Sequence, residues 1–378
     1  MPDDTSVKKI ALVHDFFIAY GGAEKVFEAL RELPYDKKLH TSVITRPLSY
    51  TNEVKTSFMQ TLPFLKRLLT IYKFLLPYAF SSLTFDKGTQ VIVSDTASFA
   101  KFIIPPPHAI HLSYIHTPPR FLWNLDASIK ARSNMLFRFF FNLFAGTSQR
   151  IQDYFHAQRV HVLVANSKEV QERIQKYYKR ESIVIYPPVE IAQITNAVNA
   201  APITKNNKFL FFNRIEKYKN IDKLLEVWPD NYELTVAGAG GLLDELKESY
   251  KHKDNITFTG YVPENSKISL LASHQALIYP NREDFGIIMV EALAAGTPVI
   301  ALAEGGAREI VTHQETGLLL KEFTKETVEN ALNWILKNQN LLEKDKLQKH
   351  VLKFDKERFI QEMKSTIELA YKNYGPTN

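Results

Sequence analysis

Short apolar runs alternate with longer amphipathic stretches along almost the whole chain, and the alternation occurs in two separate series. In the first, Ile10 to Val13 reads as a buried strand, followed by a Gly21-Gly22 turn and a helix from about Glu24. Gln90 to Ser94, Ala109 to Tyr114, Val160 to Ala165 and Ser182 to Tyr186 read as further strands. In the second, Phe209 to Phe212, Tyr232 to Ala237, Ile256 to Thr259, Ala276 to Tyr279 and Pro298 to Leu302 repeat the layout. Strands that alternate with helices imply βαβ units and a parallel sheet. The predicted fold class is therefore α/β, with two Rossmann-like domains facing each other across a cleft. Pro187-Pro188 closes the first series. Ala192 to Asn207, rich in Ala, Asn and Thr with Pro202 inside it, reads as the linker. The predicted domains span 1–190 and 205–354. A last helix, 355–374, has apolar residues at helical spacing (Phe359, Ile360, Met363, Ile367, Ala370, Tyr371) and is free to pack back onto the first domain.

A chain of 378 residues can bury two such cores without covalent staples, and it contains no cysteine. That excludes disulfides, thiolate zinc sites and a thiol nucleophile together, and fits a reducing compartment. The polar stretch Met1 to Lys9 does not resemble a signal peptide, and no run of apolar residues is long enough to predict a spanning helix. The formal net charge of +6 favours an acidic partner such as a nucleotide or an anionic membrane.

Ligands of open α/β sheets bind beyond the C-terminal ends of the strands. The strand ending at Phe212 runs into Asn213, Arg214 and, on the same loop, Lys219. Two fixed cations there suit a diphosphate, whose charge grows as it leaves; the alternative is a pair of solvated loop cations. The strand ending at Tyr279 is followed by Glu283-Asp284-Phe285-Gly286-Ile287 and an amphipathic helix containing Glu291. Gly286 lets backbone approach a ligand, and the first N–H groups of the helix form an anion site. A Glu inside an otherwise apolar helix needs hydrogen-bond donors: ribose hydroxyls would serve, unless Glu291 points to solvent or caps a loop.

Glu283 and Glu291, with seven residues between them, resemble the E-x7-E signature of the family 4 retaining glycosyltransferases, which have the GT-B fold. Gly296-Thr297-Pro298-Val299-Ile300 and Gly305-Gly306 resemble the segments C-terminal to that signature, and Gly21-Gly22-Ala23-Glu24 resembles the N-terminal glycine loop. Gly238-Ala239-Gly240-Gly241 departs from the family's more usual G-x-G-P. The segment His116-Thr117-Pro118-Pro119-Arg120-Phe121-Leu122-Trp123 is similar to the H-T-P-x-R-x-x-W segment of bacterial O-antigen mannosyltransferases within that family. Ser94-Asp95-Thr96-Ala97-Ser98-Phe99-Ala100-Lys101 fits the same group.

The resemblance implies a metal-independent, retaining hexosyltransferase with no cofactor, moving mannose from GDP-mannose onto a glycan or a polyprenyl-diphosphate-linked acceptor. It implies an acceptor-binding first domain and a donor-binding second domain. Catalytic roles fall to His116, against the sugar ring or its hydroxyl, and to Glu283, against sugar hydroxyls near the reacting carbon. The donor-binding set is Gly21, Gly22, Arg214, Lys219, Tyr261, Asp284, Phe285, Gly286, Ile287 and Glu291; Tyr261 lies at the base and Glu291 at the ribose. Arg120 is a phosphate or acceptor-side cation. Read without the resemblance, His116 is a histidine bonded to backbone, Arg120 a helix-start residue in a salt bridge, and Glu283 a loop carboxylate beside Arg282. On the same footing Gly21-Gly22 is a tight turn, and Tyr261 a surface tyrosine after a turn glycine.

Two segments of the first domain, 62–85 and 132–144, are aromatic and basic together, with Lys66, Arg67, Lys73 and Phe80 in one and Arg132, Phe137, Arg138 and Phe141 in the other. Such segments suit a membrane interface, and hence a cytoplasmic protein peripheral on the inner face of the cell membrane; the alternative is core helices or a subunit contact. A UDP-sugar-dependent transferase of the same fold is the nearest competing function. A dinucleotide-dependent oxidoreductase would need G-x-G-x-x-G after a first strand and an acid about twenty residues on, which neither series supplies. A non-catalytic sugar-binding or nucleic-acid-binding protein is compatible with the charge, but no nucleic-acid module is present and no nucleic-acid partner is expected.

Overall fold

The computed structural model describes residues 7–18, 20–72, 75–123, 146–200 and 203–376, with backbone only at 68–71. Two compact units divide the chain: Met1–Pro188 with Glu357–Asn378, and Val189–Lys356.

Among the described residues the first unit is built on seven strands: β1 Lys9–His14, β2 Asp36–Thr41, β3 Val54–Thr56, β4 Val91–Thr96, β5 Ile110–Ile115, β6 Val162–Ala165 and β7 Ile183–Val184. All pair in parallel, in the order β3-β2-β1-β4-β5-β6-β7. β4 and β5 are buried along their whole length, as strands covered by helices on both faces must be. The strand order reverses direction between β1 and β4, which is where such sheets open a crevice for ligands.

The helix Lys356–Tyr374 completes this unit. Phe359, Met363, Ile367 and Ala370 fall on one face of it and share one buried cluster with Leu12, Ile110, Leu112 and Tyr114. Burial of each of the three larger side chains contributes about 1.5–3 kcal/mol.

The second unit carries six parallel strands: β8 Lys208–Phe212, β9 Glu233–Ala237, β10 Ile256–Gly260, β11 Leu277–Tyr279, β12 Val299–Leu302 and β13 Gly317–Leu320. Their order is β10-β9-β8-β11-β12-β13, so the reversal falls between β8 and β11. Each unit is by itself a Rossmann-like parallel sheet, as expected for the GT-B fold class.

The structure corrects the expected linker. That stretch begins with the helix Ile191–Ala200, whose Ile191, Ile194 and Val198 are buried. Apolar residues three and four apart hold it in the second unit despite its Ala- and Asn-rich composition.

Candidate functional site

At the β1/β4 reversal the register brings an ionisable cluster onto one face. His14 stands opposite Asp95 across the β1–β4 pair, and Asp95 stands opposite Tyr114 across β4–β5. His116 lies two residues beyond Tyr114, hence on the same side. The side chains meet accordingly. His14 Nδ1 donates to Asp95 Oδ2 at 2.7 Å, and His116 Nε2 lies 2.6 Å from Asp95 Oδ1. His14 Nε2 faces Glu24 at 3.8 Å, in the first turn of the helix Gly22–Arg31.

Burial opposes charge on His14, but its hydrogen bonds with Asp95 and Glu24 and the field of Asp95 and Asp15 outweigh that and lift its pKa to about 9. Burial likewise opposes charge on Asp95, and the two histidines more than offset it, holding the carboxyl below the usual range.

The neighbouring Asp15 has a different task. Its carboxylate accepts from the backbone N–H groups of Ala97, Phe99 and Ala100 at 2.6, 2.9 and 2.7 Å, fixing the loop after β4. Sequence reasoning alone gives His14, Asp15 and Asp95 no role. The available signal is the set of polar residues at the C-terminal ends of otherwise apolar strands.

His116 is thus held by a carboxylate rather than by backbone. Gly21 precedes the helix Gly22–Arg31 in extended conformation with no side-chain cap, and neither glycine requires a left-handed backbone. Arg120 is half-buried and takes part in side-chain interactions. Trp123, in the same segment, is an anchor. Its indole donates to the buried Asp153 at 2.8 Å and stacks on Tyr177, while Asp153 pairs with the buried Lys101 at 2.5 Å.

In the second unit the loops after β8 and β11 converge at the other reversal. Lys219, buried at the end of a short 3-10 turn, forms an ion pair with Glu283, and Asn281 Nδ2 donates to the same carboxylate at 2.9 Å. Asn281 is almost fully buried, yet its Oδ1 has no hydrogen-bond partner among the described residues. Arg214 is exposed, and among the described residues its guanidinium pairs with no carboxylate. Burial and the Glu283 carboxylate push the Tyr279 hydroxyl well above its ordinary pKa, so it stays a neutral group beside them.

Gly286 starts the helix Ile287–Ala294 at φ +99°, a left-handed position where a Cβ would lie 2.4 Å from Met289 Cε. Only glycine adopts this turn without strain, and no side chain caps the helix N-terminus it exposes. The 283–286 loop is set in place by Gly305 and Gly306, where added Cβ atoms would lie 2.1 Å from the Glu283 and Phe285 carbonyl oxygens.

The Phe285 side chain is buried against Phe354 with ring centroids 5.4 Å apart, so it packs into the protein rather than toward a ligand. Glu291 does not point to solvent: it is buried and accepts from Lys267 Nζ at 2.8 Å, so a lysine supplies a donor it needs. Tyr261 follows Gly260 (φ +72°) at the end of β10 and is 75% exposed. β10 is an edge strand two places from β8, about 10 Å away, so Tyr261 stands apart from Lys219 and Glu283. Asp284 and Ile287 are half-buried at the helix start.

Residues 193–350 match the family model for glycosyl transferases group 1. The chain is 27% identical over 243 residues to alpha-1,3/1,6-mannosyltransferase ALG2 of Mus musculus, covering 55% of each protein. It is 28% identical over 174 residues to phosphatidyl-myo-inositol mannosyltransferase of Mycobacterium leprae, covering 43% of this chain and 46% of that protein. The chain therefore spans about half the length of these curated relatives. Among solved structures it is similar to Anabaena Alr3699/HepE in complex with UDP, with TM-score 0.67 and 16% identity over 96% of this chain and 100% of that one, a likeness of fold. The fold is thus that of GT-B proteins, and the segment 193–350 is similar to group 1 glycosyl transferases.

Proposed function

We propose that the protein is a retaining glycosyltransferase that takes a hexose from a nucleotide sugar. The observation that carries the reading is the Lys219–Glu283 ion pair next to the uncapped helix start at Gly286, at the strand reversal of a unit whose residues 193–350 match group 1 glycosyl transferases, with Arg214 on the same loop as Lys219. A carboxylate, two cations and a helix N-terminus together suit a sugar diphosphate.

In the proposed reaction the bond between sugar C1 and the diphosphate oxygen breaks, and its electron pair leaves with the diphosphate. Arg214, Lys219 and the N–H groups at the start of the helix Ile287–Ala294 stabilise that charge. The acceptor hydroxyl oxygen bonds C1 on the face the diphosphate leaves, and its proton passes to the departing diphosphate. Glu283 holds sugar hydroxyls, Glu291 the ribose and His116 the transferred sugar. Arg120 takes acceptor-side phosphate. Fixed cations and the helix dipole take the part that a metal plays in other transferases.

The donor we favour is GDP-mannose, supported by the mannosyltransferase relatives and by the segment His116 to Trp123. The neighbour solved with UDP keeps a UDP-sugar as the second reading. The test is incubation with GDP-mannose or UDP-glucose and simple glycan or polyprenyl-diphosphate-linked acceptors, with NMR of the product's anomeric proton. Retention of the donor's anomeric configuration is expected; inversion would contradict the mechanism.

We also propose that the first unit rests on an anionic membrane. Phe64 is 75% and Tyr78 62% exposed, and Lys66 and Arg67 beside Phe64 are exposed too. The same segment also contributes core: Leu76, Phe80 and Leu83 are buried, so only part of its apolar content is available outside. No helix among the described residues is long and apolar enough to cross a membrane. The second segment, 132–144, lies outside the described residues.

A further inference from the structure

Asp95 is fully buried and serves two histidines at once, one carboxylate oxygen to each. His14 and Asp95 are sealed in, while the His116 side chain keeps 12% of its surface exposed, so one edge of that ring reaches outward. Tyr114 packs edge-on against His116 at 5.3 Å, and its own hydroxyl is tied to the Ile185 carbonyl at 2.9 Å. The ring is therefore held both by a hydrogen bond and by a fixed aromatic wall. A neutral imidazole that donates through Nε2 carries its lone pair on Nδ1.

We propose that Asp95 is a positioning residue for His116, fixing the ring as the Nε2–H tautomer so that Nδ1 accepts a hydroxyl hydrogen from the sugar substrate. His14, which also faces Glu24, takes the second oxygen of the Asp95 carboxylate and so holds it in place for that task. A carboxylate that orients a histidine in this way is the supporting member of a general catalytic pattern, and removing it changes the ring's tautomer rather than its presence. The proposal rests on the transferase reading for its substrate but not for its geometry.

The test is 15N NMR of histidine-labelled full-length protein at neutral pH, with His116 assigned by its loss in His116→Gln. The expected spectrum has Nε2 protonated and Nδ1 bare, and Asp95→Asn converts it to a tautomer mixture. A wild-type Nδ1–H tautomer overturns the proposal, and that result needs no variant at position 95 to fold. Turnover of GDP-mannose, or of UDP-glucose if that is the donor, supplies the second reading. Asp95→Asn is expected to lower kcat about tenfold to a hundredfold with KM nearly unchanged, and to add less than about twofold in a His116→Gln background. Equal losses in both backgrounds make Asp95 merely structural and overturn the proposal. Turnover of neither donor, with the Nε2–H tautomer in place, removes the transferase reading and the substrate role of His116 together.

Discussion

Lys219 Nζ and the Glu283 carboxylate form an ion pair that ties the loop after β8 to the loop after β11. The two residues are 64 positions apart in sequence and meet because β8 and β11 are neighbours at the strand reversal. In the proposed mechanism the pair keeps Lys219 aimed at the donor and Glu283 aimed at the sugar.

Lys219→Ala and Glu283→Ala are each expected to cut sugar transfer by about a hundredfold or more, since each removes a charge aligned with the transition state. The far-ultraviolet circular dichroism spectrum stays native, with stability lowered by about 1–3 kcal/mol because one charge of a largely buried pair is left alone. Turnover within about threefold of wild type in either variant would refute the site assignment.

Gly286→Ala is expected to destabilise the second unit by about 1–3 kcal/mol, because the left-handed backbone strain remains even if Met289 moves aside. Chemical denaturation measures the loss. An unchanged midpoint would mean that the turn is not held in the conformation described.

Stability has two pH windows. The folded pKa of His14 is raised from 6.5 to about 9, so its contribution is complete below pH 6.5 and is lost as pH rises through about 9. Burial lowers His40 and His156 to about 4 and His111 to about 3, so these stay neutral in the folded chain. Their effect runs the other way: stability falls as pH drops below 6.5, where the unfolded chain takes up protons first. Urea midpoints across both windows check this, and His14→Gln should abolish much of the alkaline slope. An alkaline slope unchanged in that variant would contradict the cluster.

The strands are legible in the sequence where apolar residues dominate: β1, β8, β11 and β12 are near-continuous apolar runs, β4 opens on Val91-Ile92-Val93, and β5 alternates Ile110, Leu112 and Tyr114 with polar residues. β2 and β3 are not. β2 opens with Asp36, Lys37 and Lys38, and β3, at the sheet edge, has three residues, so neither carries a readable period. β13, Gly317–Leu320, also escapes the sequence reading. Arg214, Lys219, Glu283 and Gly286 are legible because strand ends and a family-like spacing mark them. Asp95 falls within a family-like motif that assigns it no role, since sequence spacing does not show that two histidines 102 residues apart, His14 and His116, share one carboxylate. Lys267 is hidden for the same reason: its partner Glu291 lies on another helix.

Sedimentation with vesicles tests the membrane reading. The protein is expected to pellet with phosphatidylglycerol-containing vesicles at low salt and to be released as salt rises, with Phe64→Ser and Lys66→Glu each weakening binding. A protein left wholly in the supernatant at low salt would refute it.

The central claim is that the second unit binds a nucleotide sugar through its diphosphate, and a thermal-shift screen with GDP, UDP, ADP and their sugars tests it most directly. A ligand that binds only the folded state raises Tm by mass action. GDP and GDP-mannose are expected to raise it by several degrees, on the order of what about 2–3 kcal/mol of binding produces, and Lys219→Ala should abolish the shift. A shift with UDP alone would replace the donor and leave the claim standing. No shift with any nucleoside diphosphate, or one that survives in Lys219→Ala undiminished, would contradict it.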